Sequence, residues 1–354
     1  MSTQNIGAVT SEQIFVASLR TSLAQALLNP PKAAWQGSVA PICMYENASD
    51  QLAGGSSGSG VDKLIAKEVI FSFSPPTASM ELMATGRAMS PLVRESIKVV
   101  TNRWTSGYYA DRRDFYADMH RIIRDVPQKL VRPAVKLNDK LLAAVLRNGK
   151  TTADQLVPTK NFFDTGKPLS PAGATTEVYS NLHTSASLTA ANIQRVVTTM
   201  MGLKGEDRIN LQIKPDTLII PPELYGAAQQ ATQVEYPVYS SPSNPFNAQP
   251  ANTAAMGQNW IATSKMIQQI VVLPELTDGN ASIDLTTWYV SECNNPGRGG
   301  APGLVLAEDP ALELGYALSP NDYDVATNDR YSWWVQKYAG AAGGMGVFIA
   351  RCEA

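Results

Sequence analysis

The chain has 354 residues, 44% of them hydrophobic and 17% charged, with a formal net charge of −2 at neutral pH. That length supports two or three compact units with cores of their own. The charge balance excludes whole-chain attraction to nucleic acid or membrane and leaves room for a local basic patch. Cys43, Cys293 and Cys352 are odd in number and far apart, which fits neither a disulfide framework nor a CxxC zinc pair. They read as buried, reduced thiols of a reducing compartment such as a cytoplasm. No stretch approaches the roughly 18–20 apolar residues of a membrane helix. The first residues lack a basic-then-apolar secretory pattern, so a soluble protein made in a cytoplasm is expected.

In chain order, Ser11–Leu28 carries Ile14, Phe15, Leu19, Leu23, Leu27 and Leu28 on one helical face, stopped by Asn29-Pro30-Pro31. Such a helix could cover its own core or lie as an arm on a neighbouring subunit. Residues 33–45 read as extended. The Gly/Ser tract ending at Gly60 buries no apolar area and reads as a loop. It lacks the GxxxxGK[ST] pattern of a phosphate-binding loop. LIAKEVIFSF (64–73) and ESIKVVTNRW (95–104) are rich in β-branched and aromatic residues and predict two strands joined by a long irregular excursion, an extended hairpin.

Asp111–Asn148 is the longest helical candidate, with an apolar stripe from Phe115 to Leu146. Pro127 and Pro133 predict a kinked helix or two successive ones, and Asn148-Gly149 is a C-terminal stop. Between Arg103 and Lys150, eleven Lys/Arg stand against five Asp/Glu. Arg112, Arg113, Arg121, Arg124, Arg132 and Lys136 are the candidate site residues of this segment. They form a solvated face, pair with a neighbouring subunit, or contact a polyanion.

Residues 188–230 form the organising block: a helix capped by Ser187 and ended by Gly205, a short buried strand at Asp216–Ile220, and a second helix opened by Pro222 and Glu223. Residues 234–257 read as a surface loop. Strands follow at 266–273, 286–290, 303–307, 312–316, 322–327, 331–338 and 347–352. Chemistry has little foothold. His120 and His183 lack partners at ligand spacing, no GxSxG elbow is present, the acidic pairs lack an EF-hand array, and Gly344-Met345-Gly346 has no following helix to make a dinucleotide fingerprint. No catalytic residue, cofactor or metal site is predicted.

The order of features resembles the major capsid protein, or major head subunit, of Mu-like tailed bacteriophages. The stretches that carry it are FFDTGKPLS (162–170), the 188–230 block with PDTLIIPPEL at its centre, IVVLPELTD (270–278), TTWYV (286–290), AEDPALE (307–313) and DRYSWWVQKYAGAAGGMGVFI (329–349). The family's histidine-proline after the FF segment is replaced here by Ser170-Pro171-Ala172-Gly173. The resemblance implies an α+β Hong Kong 97-type capsid fold. Residues 1–45 would be an N-terminal arm and 46–100 an extended loop with flanking strands. Residues 101–160 would be a peripheral domain with a spine helix, 161–310 an axial domain, and 311–354 strands returning to the peripheral domain. It implies a structural protein without enzymatic activity, self-assembling into hexamers and pentamers of an icosahedral head. Scaffold and portal proteins, a decoration protein and non-specifically held double-stranded DNA would be its partners. An encapsulin-like compartment shell of the same fold is the alternative reading. An α/β enzyme using Asp216 or Glu223 as an acid is a third. For the basic residues, pairing with a neighbouring subunit is preferred over DNA because the net charge is not positive.

Overall fold

The computed structural model describes residues 33–48, 68–73, 95–111, 113, 119–168, 178–204, 210–234, 259–277, 286–294, 302–309, 313–317 and 322–354. In chain order its strands are β1 (Met44–Asn47), β2 (Glu68–Phe73), β3 (Glu95–Val100), β4 (Asn102–Asp111), β5 (Lys167–Pro168), β6 (Val178–Tyr179) and β7 (Leu182–His183). They continue with β8 (Thr217–Ile220), β9 (Gln269–Val272), β10 (Trp288–Ser291), β11 (Leu304–Glu308), β12 (Glu313–Ala317), β13 (Arg330–Gly343) and β14 (Ile349–Cys352). The helices are α1 (Met119–Asn148), α2 (Ala190–Met201), α3 (Tyr225–Gln233), α4 (Trp260–Ser264) and α5 (Tyr323–Asn328). The predicted helix at 11–28, the Gly/Ser tract, the excursion within the hairpin and most of the 234–257 loop lie outside the described residues.

Two five-stranded sheets organise the molecule. The first is built on β13, whose fourteen residues pair antiparallel with β4 along one edge and with β11 and then β12 along the other. β1 adds in parallel to β11. The second sheet runs β7-β14-β10-β8-β9. The hairpin predicted before residue 104 is present as β2 and β3, registered from Glu68↔Val100 to Phe73↔Glu95. Its second strand stops at Val100, and residues 102–111 start a separate strand that belongs to the first sheet.

Burial on both faces explains the short all-apolar strands. In β8, Leu218 and Ile220 point into a core with Ile193, Val196 and Met200 of α2, while Ile219 points to the opposite core with Leu142 and Leu146 of α1. β11 divides in the same way: Leu304 and Leu306 face α1, and Val305 and Ala307 face Val69, Phe71, Ile97 and Val99 of the hairpin. A strand with period-2 side chains and protein on both sides has no solvent face to mark with polar residues. The hairpin sits close against the first sheet: a Cβ on Gly340 would lie 2.1 Å from the Val100 carbonyl oxygen.

α1 differs from expectation at its start: Asp111 is the last residue of β4, and α1 begins at Met119. It runs unbroken over thirty residues, with both prolines inside it. Pro133 is exposed, so the carbonyl it leaves without an amide donor can be hydrated, which lowers the cost of an interior proline. Leu130, Ala134, Leu137, Leu142 and Leu146 are buried at helical spacing. Asn138 donates to Glu308 Oε2 at 2.6 Å, and the Lys337 ammonium lies 2.5 Å from the same oxygen, pinning α1 to β11 and β13. The helix ends at Asn148 as expected, and Arg351 of β14 donates to the carbonyls of Leu146 (3.1 Å) and Arg147 (2.9 Å). A cation there meets the negative end of the helix dipole.

Smaller differences have local causes. Thr189, not Ser187, caps α2, accepting from Asn192 N–H at 3.3 Å. α2 ends at Met201 with Gly202 as its C-cap, short of Gly205. Residues 323–328, expected as a strand, form α5; its sequence YDVATN has no alternating apolar pattern to hold a strand face. The sheets also cut across the predicted division at 310/311. β11 pairs with β13 although it precedes that boundary, and β14 joins the second sheet beside β10 although it follows it. Pro222 opens a short 3-10 turn leading into α3, as predicted.

Candidate functional site

Two buried titratable side chains, Asp216 and Lys167, are committed to holding the chain together. Asp216 Oδ1 accepts from Thr217 Oγ1 (2.7 Å) and Cys293 N–H (3.0 Å), and its Oδ2 accepts from Asn294 N–H (2.8 Å). That uses the carboxylate as a junction between β8 and the end of β10, and Glu223 stands apart on the exposed first turn before α3. Lys167 is fully buried. Its ammonium pairs with Asp154, donates to the Phe162 carbonyl at 3.0 Å, and lies 5.5 Å and 5.6 Å from the ring centres of Phe162 and Tyr179. Asn181 donates to the same carbonyl (2.9 Å) and to that of Gly346 (3.2 Å). The FFDTGK stretch thus works as a polar knot tying α1's exit to the last turn of the chain. Burial lowers the Lys167 pKa, while the Asp154 carboxylate pulls it back up.

His183 is half-buried on β7; burial, then the Arg195 charge, lowers its pKa. Cys43, Cys293 and Cys352 are free and buried, as expected. Burial raises each thiol pKa, to about 12 for Cys293. Among the described residues, no group of three or more His, Cys, Asp or Glu is placed to hold a metal ion.

The outward-facing features are surfaces. β4 has exposed or half-exposed residues along its whole length, and among the described residues it pairs only with β13, leaving its other edge open. Tyr109 is 65% exposed, with the Arg330 guanidinium 4.6 Å from its ring centre. Trp104 and Tyr108 are exposed on the same strand, and Ile70 and Val100 on the outer face of the hairpin. Tyr225 and Trp260 stand exposed where α3 and α4 begin. An open edge strand with aromatic side chains is a ready template for another chain.

The six basic residues predicted as a group separate. Arg132 and Lys136 are exposed on α1, and Arg113 is exposed ahead of it. Arg121 and Arg124 lie in the first turns of α1, and Arg112 is outside the described residues. The structure adds Lys129 and Lys140, exposed on the face that Arg132 and Lys136 occupy. Their spacing of 129, 132, 136 and 140 was the available signal: at 100° per residue the four fall within an arc of about 80°. Lys136 and Lys140 also line a cleft of about 350 Å³ between α1 and β4, with Trp104 on its wall and Glu275 reaching it. Glu275 Oε1 lies 3.8 Å from the Lys136 ammonium.

The phage capsid protein family matches residues 94–350 of the chain. No curated protein matches it. Among solved structures, the chain is similar to the cyanophage Pam1 capsid, with a TM-score of 0.51 at 12% identity, covering 88% of each chain. It is also similar to the procapsid subunit of bacteriophage JBD30 (TM-score 0.47, 13% identity, 98% of this chain and 76% of that one). A virus-like particle from Pyrococcus furiosus gives a TM-score of 0.47 at 11% identity, covering 96% of this chain and 99% of that one. The chain belongs to the phage capsid protein family, as a structural major capsid subunit of the Hong Kong 97-type fold.

Proposed function

We propose that the chain builds the icosahedral head of a Mu-like tailed phage, associating as hexamers and pentamers around double-stranded DNA. The observation that carries this reading is the family match over residues 94–350. In this reading the first sheet with α1 is the peripheral domain, and the second sheet with α2, α3 and α4 is the axial domain near the local symmetry axis. The β2–β3 hairpin belongs to the extended loop reaching a neighbour, and residues 1–45 are the arm. Repeated symmetric contacts give the open β4 edge and the exposed aromatics their partners. Scaffold and portal proteins guide assembly in the bacterial cytoplasm, and a decoration protein binds the finished shell.

Electron microscopy of the purified full chain, with and without its scaffold, tests this. Capsomers or closed shells are expected. A chain that stays monomeric at high concentration with scaffold present refutes the reading, and a shell that assembles alone around a cargo protein supports the encapsulin-like alternative instead.

A further inference from the structure

Several cations of the described residues have a carboxylate at close range: Lys98 with Glu68, Lys150 and Arg351 with Glu353, Arg330 with Asp111, Lys337 with Glu308. The stripe on α1 does not follow this pattern. Among the described residues, Lys129, Arg132 and Lys140 have no ionic or hydrogen-bonded partner, and Lys136, with 67% of its side chain exposed, has only the long contact to Glu275. The one acidic residue of α1 between 129 and 148, Asp139, is turned inward and buried, where it accepts the N–H groups of Ala34 (2.9 Å) and Trp35 (2.7 Å). Four cations therefore lie along about 16 Å of helix with no carboxylate interleaved. An acid-free row on a chain of net charge −2 is an electrostatic footprint of its own.

Of the described acidic side chains, Glu68 and Asp111 are taken up by Lys98 and Arg330, Asp139, Glu275 and Glu308 are buried, Glu223 stands by itself, and Asp322 and Asp329 flank α5 on the outside of the molecule. We propose that the Lys129–Arg132–Lys136–Lys140 face of α1 docks the phosphate backbone of duplex DNA, without reading sequence. Side chains on successive turns reach phosphates, and nothing on this face is shaped to probe base edges. Lys136 and Lys140 also line the cleft beside Trp104, into which Glu275 reaches to within 3.8 Å of the Lys136 ammonium, so the phosphates are met by the exposed row rather than inside the cleft. This deepens the reading of the chain as the wall of a DNA-filled head.

The test uses the unassembled full chain, so that it does not depend on shell formation. Binding to a fluorescent duplex of about 30 base pairs is followed by anisotropy across a salt series. Three or four neutralised phosphates give a slope of log K against log salt of about −3 to −4. Lys129→Gln/Arg132→Gln/Lys140→Gln should bring the slope to about −1 and weaken binding more than tenfold at low salt. Lys129→Gln or Lys140→Gln alone should reduce the slope by about one, and Lys129→Arg/Lys140→Arg should keep it. Equal slopes and affinities for wild type and the triple variant overturn the proposal. So does a triple variant that binds DNA normally but loses subunit association, which would make the row a contact between copies. A wild-type chain that shows this salt slope but forms no shells with its scaffold would instead count against the assembly reading.

Discussion

Gln269 is the side chain whose removal should loosen the N-terminal part of the described chain without touching any apolar core. It is 4% exposed, at the start of β9. Its Oε1 accepts from the N–H groups of Ser38 (3.2 Å), Val39 (3.0 Å) and Ala40 (3.2 Å). Its Nε2 donates to the Ala40 carbonyl (2.8 Å) and Thr217 Oγ1 (2.9 Å). The segment wraps tightly enough that Gly37 takes φ +61°, where a Cβ would lie 2.6 Å from Oε1. In Gln269→Ala, Ser38 and Val39 are exposed and their amides can rehydrate. The Ala40 amide and carbonyl are buried and cannot, while the Thr217 hydroxyl keeps its bond to Asp216. At about 1–3 kcal/mol for each stranded buried group, less what water entering the vacated space returns, the loss is about 2–4 kcal/mol. Amide hydrogen exchange should show protection falling at residues 38–42 before the second sheet opens, with a lower urea midpoint at unchanged m-value. Unchanged exchange at 38–40 together with an unchanged midpoint would refute the idea that this glutamine holds the strap.

Lys167→Met leaves Asp154 buried without its cation and should cost about 3–5 kcal/mol, with Lys167→Met/Asp154→Asn recovering most of it; urea unfolding reads both, and a single variant as stable as wild type would contradict the buried pair. Asp139 has its pKa raised by burial, against the lowering effect of the Ala34 and Trp35 amides, so the native state holds its proton more tightly than the unfolded chain. Its contribution to stability should therefore fall as pH rises from about 4 and level off above the raised value. The wild-type advantage over Asp139→Asn in urea midpoint should shrink over that window, and an advantage that grows would mean the two amides dominate. With the Cys293 pKa at about 12, its thiolate fraction at pH 8 is about one in ten thousand. Native protein should resist iodoacetamide until unfolded, and prompt labelling seen by mass spectrometry would show that Cys293 is accessible.

Much of this was legible in the sequence because it rests on local rules. The apolar period of 111–148, the proline-opened turn at 222, the β-branched runs at 68–73 and 95–100, and the buried thiols follow from side-chain spacing and backbone chemistry alone. The basic character of α1 was also visible, as an excess over a window. What the sequence could not determine is what depends on direction and on partners far along the chain. Whether Asp139 lies among the lysines of α1 or turns away from them is set by the amides of Ala34 and Trp35, 105 and 104 residues distant. That single rotation makes the stripe acid-free, and only the tertiary structure supplies it. In the same way Lys167 reads as a surface lysine until Asp154, Asn181 and Gly346 close around it. Residues 102–104 read as the end of the hairpin's second strand, and only the pairing of Asn102–Asp111 with β13 makes them a strand of the first sheet. Non-local pairing decides these cases because a buried charge or a strand edge is stabilised only by groups that folding brings to it.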